Sequence, residues 1–306
     1  MSKLARTVTV GALVVASMAG ARTDQNACKK SSQALFDACM AGTASDRSLA
    51  IGKCFNLSDA AARRACTQQA SNDKKDASQE CNDQRRFRLA TCARLGPAPY
   101  LPAIDPANFV ATIDNPYNPL KPGTTFIYEG QTAQGLEHNE VSVTTNTRVI
   151  FGVTCVEVLD TVELNGELTE RTLDWFAQDK DGNVWYFGEN SEELAGGLVV
   201  DVGGSFAAGV DGAQPGIIME AHPAVGDFYR QEFDLGNAED VAEVLSLAES
   251  VTVAAGSFSN CLQTKETEAL DPSALENKYY APGIGNVLTV DLVTGERLEL
   301  RQIKTT

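Results

Sequence analysis

The hydrophobic pattern of the chain changes character twice. From about Val8 to Ala19 apolar residues run almost unbroken. From Arg22 to Leu95 they thin out to scattered alanines among Lys, Arg, Gln and Asp, with no proline, a composition that favours helix. From about Asn118 onward short stretches alternate apolar and polar residues, as in Val141-Ser142-Val143-Thr144-Thr145, and β-branched residues crowd Thr147–Leu159. Period-two alternation is the mark of half-buried strands. Asn165-Gly166, Asp181-Gly182 and Thr294-Gly295 each separate two such runs and predict hairpins. The middle one joins Leu173–Gln178 to Val184–Phe187. Further strands are expected at Phe126–Glu129, Gly216–Met219, Phe228–Phe233, Ser250–Ala254, Leu262–Leu270 and Lys278–Ala281. Asn237–Glu249, opened by Ala238-Glu239-Asp240, reads as the one helix of this half.

These elements predict an α+β protein: an N-terminal disulfide-stapled helical hairpin, then a large antiparallel, curved β-sheet or half-barrel domain. The boundary falls in the proline-rich junction that begins Gly96-Pro97-Ala98-Pro99, giving a helical unit over 22–95 and a β unit over 96–306. Residues 1–21 read as a secretory signal. Lys3 and Arg6 precede the apolar run, Ala19-Gly20-Ala21 is a cleavage site, and the run is short for a ~20-residue membrane span. The expected destination is the periplasm or the medium, with no transmembrane anchor after cleavage.

Cysteine spacing sharpens the first half. Six of the eight cysteines stand at 28, 39, 54, 66, 81 and 92, with gaps of 11, 15, 12, 15 and 11. The gaps form a palindrome, and 11 or 15 residues bring a helix back close to the same face. That predicts three rungs between antiparallel helices: Cys28–Cys92, Cys39–Cys81 and Cys54–Cys66. A rival set keeps Cys28–Cys92 and pairs Cys39–Cys54 and Cys66–Cys81. No CxxC and no histidine occurs there, so zinc is disfavoured. Cys155 and Cys261, one in each of two expected strands, are the expected fourth bridge.

Charge separates the halves. The chain carries 25 Lys+Arg against 41 Asp+Glu, net −16. Residues 22–95 hold net +5 and residues 96–306 net −23. A nucleic-acid partner is excluded by that balance, since phosphate binding needs clustered Lys and Arg. The basic hairpin is suited to dock on the acidic half or on an anionic surface.

Several stretches carry a resemblance. Ile104-Asp105-Pro106, Asn115-Pro116-Tyr117-Asn118-Pro119-Leu120, Pro122-Gly123-Thr124-Thr125, Tyr128-Glu129-Gly130, Asp174-Trp175, Asp179–Trp185 and Tyr279–Gly285 resemble uncharacterised exported bacterial proteins. In that group a Cys-rich helical segment precedes an acidic β domain, which implies architecture and no activity. Gly256-Ser257-Phe258 and then Tyr279–Gly285 are similar to strand–turn patterns in half-barrels of the periplasmic lipoprotein-carrier type, which implies an apolar cavity for acyl chains.

Candidate chemistry centres on the Asp181-Gly182 hairpin. With those two residues as the turn, Gln178 faces Trp185, Phe176 faces Phe187 and Asp174 faces Glu189, all on one sheet face. Opposed carboxylates share a proton or take a cation such as Ca²⁺; no cofactor is otherwise expected. Asp179–Asn183 departs from a Ca²⁺ loop, because its glycine stands fourth and its twelfth position is Asn190. Gly203-Gly204-Ser205-Phe206-Ala207 lacks the last glycine of a nucleophile elbow. The two histidines, His138 and His222, are surface candidates. Without a nucleophile–base pair, the leading function is non-catalytic. An apolar or amphiphilic ligand, or an envelope partner, is expected on the concave sheet face, against Trp185, Phe176, Phe187, Tyr279 and Tyr280. The rivals are an extracytoplasmic enzyme using Asp174 and Glu189, and a structural envelope protein.

Overall fold

The computed structural model describes residue 24 and residues 26–305. The expected export signal lies outside the described residues. Helices α1 (Ala27–Phe55) and α2 (Ala60–Leu95) form a hairpin. Asp59 caps α2 by accepting from the Ala62 N–H at 2.7 Å, and Gly96 ends it at φ +98°. Neither helix offers an apolar stripe: the buried residues are Ser32, Thr43 and Cys54 on α1 and Ala70, Cys81, Arg88, Thr91 and Cys92 on α2. Disulfides therefore hold the seam. They are the nested set, Cys28–Cys92, Cys39–Cys81 and Cys54–Cys66, with Cα atoms 5.8, 5.8 and 5.6 Å apart.

After a 3-10 turn at Pro106–Asn108 the chain is all strand: β1 (Phe109–Val110), β2 (Thr124–Gln131), β3 (Leu136–Ile150), β4 (Val153–Leu164), β5 (Glu167–Asp179), β6 (Val184–Ala195), β7 (Leu198–Asp201) and β8 (Phe206–Ala207). There follow β9 (Gln214–Met219), β10 (Phe228–Arg230), β11 (Glu232–Phe233), β12 (Val241–Val253), β13 (Gly256–Thr267), β14 (Leu275–Ala281), β15 (Gly285–Asp291) and β16 (Arg297–Thr305). All pair antiparallel in one sheet, ordered β10-β12-β13-β14-β15-β16-β2-β3-β4-β5-β6-β9-β11. Its two end strands, β10 and β11, are separated in the chain by Gln231 alone, so the sheet curls into a nearly closed barrel. At that seam Gly216 of β9 lies against the turn: a Cβ there would stand 2.1 Å from the Gln231 carbonyl oxygen. Only glycine allows that approach.

The helix expected over Asn237–Glu249 is instead the start of β12. Ala, Glu and Leu there favour helix locally, but pairing to β10 on one side and β13 on the other overrides propensity. Three register shifts along β12–β13 break the alternation that would have shown a strand. The β-branched run Thr147–Leu159 spans parts of two strands, joined by Phe151-Gly152 at φ +53° and +82°, the same left-handed pair that turns Asn165-Gly166. Phe228–Phe233 is likewise two short strands broken at Gln231.

The main core fills part of the barrel interior, with Phe126, Val158, Met219, Leu262, Val287 and Leu300 buried together. A second cluster covers the outer face of β4–β6, where Val153, Cys155, Trp175 and Phe187 meet Phe109 and Ile104 from the segment entering the sheet. Fully burying a side chain such as Phe187 contributes about 1.5–3 kcal/mol. Cys155 and Cys261 are buried in these separate clusters and remain free thiols, which corrects the expected fourth bridge.

The basic hairpin docks on the barrel. Arg88 donates from Nε and Nη2 to the Glu239 carboxylate at 2.7–3.0 Å, both side chains being buried. Arg94 pairs with Glu243 at 2.9 Å and lies over the Phe228 ring. Gln84 Nε2 donates to the Leu270 carbonyl at 2.8 Å.

Candidate binding chamber

The sequence places polar residues at every second position on the inward side of several strands: Glu137 and Asn139 on β3, Asp160 on β4, Glu170 and Asp174 on β5, Glu276 and Lys278 on β14. Inside the curled sheet they line a chamber of about 610 Å³. Glu232, Asp240 and Gln231 add to its wall from the barrel seam, and Glu266 from β13. Phe126, Tyr128, Phe176, Tyr186 and Tyr280 supply aromatic surface. The volume is within the usual 300–1,000 Å³ of small-molecule sites.

Register decides which expected residues reach this chamber. The hairpin turn is three residues, Lys180 to Gly182, because the Asp179 N–H donates to the Asn183 carbonyl at 3.0 Å. Phe176 therefore pairs with Tyr186, not Phe187, and Ala177 with Trp185. A bulge beyond Tyr186 then restores the register, so that Asp174 does stand opposite Glu189. Gly188 follows the bulge at φ +145°, with its missing Cβ 2.3 Å from the Phe206 carbonyl oxygen. Trp185 and Phe187 consequently point to the outer cluster, where both touch the Phe109 ring. The Trp185 indole N–H donates to Asp179 Oδ2 at 2.8 Å, so this residue braces the turn. Tyr279 is also off the chamber wall and accepts from Gln263 Nε2 at 3.0 Å. Phe176 and Tyr280 line the chamber, and Phe176 stacks on Tyr186 with centroids 4.6 Å apart.

Tyr186 joins the two opposed carboxylates. Its hydroxyl meets Asp174 Oδ1 in a very short contact and Glu189 Oε2 at 2.9 Å. A phenol has one proton to donate. Serving both acids requires that one of them be protonated and donate back to the phenol oxygen. Burial pushes the Asp174 carboxyl well up and the Glu189 carboxyl to about 7, in keeping with a shared proton. Asp160 is raised to about 7 by burial against the opposing hydrogen bond from Asn139, and Asp240 to about 7 by burial and the charge of Glu268. Burial and then Asp240 raise Glu232 well above its ordinary value.

Glu266 behaves oppposite to these. Burial opposes its ionisation, but Lys278 Nζ at 2.9 Å and hydrogen bonds from Thr264 at 2.7 Å and Tyr280 at 2.8 Å hold the carboxylate below its ordinary range.

The other sequence candidates are structural or peripheral. The Ser205 hydroxyl donates to the Ser191 carbonyl and accepts from the Ser191 N–H, so it ties a loop to β6. His138 lies between Glu129 and Glu140 at 3.5 and 3.6 Å, and His222 is exposed. Among the described residues no group of three or more His, Cys, Asp or Glu is arranged to hold a metal ion, Asp174 and Glu189 included. A smaller cavity of about 200 Å³ between hairpin and barrel is walled by Phe87, Tyr100 and Phe233, and its carboxylate, Glu239, is engaged by Arg88. No helix among the described residues is long and apolar enough to cross a membrane.

No protein family and no curated protein matches the chain. A crystal structure from Parabacteroides distasonis, provisionally described as a lipoprotein, is similar over 64% of this chain and 100% of its own, with a TM-score of 0.31 and 14% identity. A likeness of that degree carries no argument about this chain.

Proposed function

We propose that this chain is an exported binding protein that holds an amphiphilic small molecule inside the barrel. The supporting observation is the chamber itself, with an aromatic wall of Phe126, Phe176, Tyr186 and Tyr280 facing ionisable side chains. Three disulfides fit maturation in an oxidising compartment. The concave face anticipated from the strands is the site, with Phe176 and Tyr280 on it and Trp185, Phe187 and Tyr279 removed from it.

Native mass spectrometry of protein purified without detergent or chelator from an oxidising host tests this. An organic adduct retained by the parent chain and lost from Phe176→Ala supports the reading. A bare parent mass that no added amphiphile shifts overturns it.

One observation favours a second reading. Asp174 and Glu189 meet on the Tyr186 hydroxyl in a buried site, an arrangement that suits acid–base work. Among the described residues no Ser, Cys or His lines the chamber, and Lys278 is engaged by Glu266, so binding is the stronger reading.

A further inference from the structure

We infer that the cavity between the hairpin and the barrel binds a small apolar carboxylic acid as its anion, with Arg230 and Ser32 holding the carboxylate. This site is separate from the chamber and goes beyond the function proposed above.

Three observations carry it. First, among the described residues the cavity is bordered by two guanidinium groups, Arg88 and Arg230, and one carboxylate, Glu239. Arg88 donates to that carboxylate from Nε and Nη2 at 2.7–3.0 Å. Arg230 forms no ion pair, and its side chain no hydrogen bond, among the described residues. It lies over the rings of Phe233 and Tyr100, with the guanidinium carbon 4.7 and 5.6 Å from their centroids. Ring contacts attract the charge but satisfy none of its N–H donors. Burial pulls the Arg230 guanidinium below its ordinary value, although the Glu239 charge acts the other way. Glu239 therefore balances one of the two positive charges, and a monoanion balances the other.

Second, Ser32 is 1% exposed and lines the same cavity, and its hydroxyl oxygen has no hydrogen-bond partner. Buried hydroxyls are normally satisfied. A hydroxyl and a guanidinium both donate, and a carboxylate is all acceptor, so the polarity of the two groups matches an oxyanion.

Third, the surrounding wall is apolar, built from Phe87, Pro99, Tyr100 and Phe233. The Tyr100 hydroxyl donates to the Pro215 carbonyl at 3.0 Å, which leaves its ring to the cavity. An apolar cavity of about 150 Å³ takes benzene. At about 200 Å³ this one has room for an aryl ring with a short carboxylate arm. Leu101 and Leu235, both exposed, stand at its rim. A multiply charged anion such as phosphate would keep uncompensated charge against these rings, which favours a monoanion with a hydrophobic body.

Isothermal titration calorimetry with phenylacetate tests the inference on the intact, oxidised protein. Expected is one site per chain with a Kd of about 0.1–1 mM, ordinary for a ligand of about ten non-hydrogen atoms. Arg230→Gln should weaken binding by about tenfold or more, because it removes a charge-assisted pair. Ser32→Ala should weaken it several-fold. The control Arg148→Gln removes an exposed arginine that lies over the Trp175 ring, and should bind as the parent does. Circular dichroism checks each fold. Should Arg230→Gln not fold, Ser32→Ala carries the comparison, since it deletes one buried oxygen that has no partner. Failure of the parent to bind phenylacetate, or parent-like affinity in either folded cavity variant, would overturn the proposal. So would equal binding of neutral 2-phenylethanol, which would make the cavity merely apolar, or equal weakening in Arg148→Gln, which would make the attraction one of net charge. None of these outcomes touches the adduct expected in the chamber, so the two readings fail separately.

Discussion

Arg88 of the second helix and Glu239 of the barrel form a buried ion pair across 151 residues of sequence. Glu239 Oε1 also accepts from the Gly236 N–H at 2.8 Å, so the barrel backbone holds the carboxylate end of the pair. The pair therefore sets how the hairpin sits on the barrel. Removing one partner leaves a buried charge, which typically costs about 3–5 kcal/mol. Arg88→Ala should lose that much in denaturant unfolding. Arg88→Met/Glu239→Leu should recover most of it, because an apolar pair of similar volume needs no compensation.

The thiol inventory gives a second expectation. Burial pushes the Cys155 thiol up to about 12, and Cys261 is raised for the same cause. Neither should react with Ellman's reagent in the native protein, and two thiols per chain should appear in guanidinium. The oxidised chain should weigh six hydrogens less than the reduced one; a deficit of eight would restore the Cys155–Cys261 bridge.

Stability should fall as pH rises. Asp160, Glu189 and Asp240 titrate near 7 when folded, against about 4 when unfolded. Between those values the folded state binds more protons than the unfolded one, so the stability present below pH 4 is lost progressively as pH rises through 7. Melting temperature should drop by roughly 15–30 °C from pH 5 to pH 8, at about 1.4 kcal/mol per pH unit for each of the three groups over about two units and about 2–4 °C per kcal/mol. Asp160→Asn should flatten the slope.

Closure of the barrel depends on Gly216. A Cβ there meets Gln231 backbone at 2.1 and 2.3 Å and the Arg230 carbonyl oxygen at 2.8 Å. Gly216→Val should separate β9 from the β10–β11 turn and speed hydrogen exchange along that seam. Protection of β2–β4, on the far side of the sheet, should be unchanged.

How much of this was legible beforehand depended on whether the signal was local. The three rungs were readable because cysteine spacing and helical period carry the same information. The Asp174–Glu189 opposition was also readable, though through two compensating departures: a turn one residue longer than Asp181-Gly182 suggested, and a bulge that takes the shift back. Between the two, the faces of Trp185 and Phe187 are inverted, and the aromatic site assigned to them dissolves. Glu232, Asp240 and Gln231 carry no local pattern, since they converge only when the sheet curls and its ends meet. A cue did exist in the inward-facing positions Glu137 and Asn139, where polar side chains occupy alternate places normally given to core residues.

The nesting of the disulfides also imposes an order in time. Loop closure becomes costlier with length, so Cys54–Cys66, 12 residues apart, is favoured to oxidise first, and it then shortens the effective path for the pairs 42 and 64 residues apart. A chain delivered N-terminus first meets the opposite order: Cys28 and Cys39 arrive before their partners and are only 11 residues apart. Their premature pairing must be undone by thiol–disulfide exchange before the outer rungs can close. A host that oxidises without reshuffling will hold the hairpin in that mispaired form; one with a disulfide isomerase will release it.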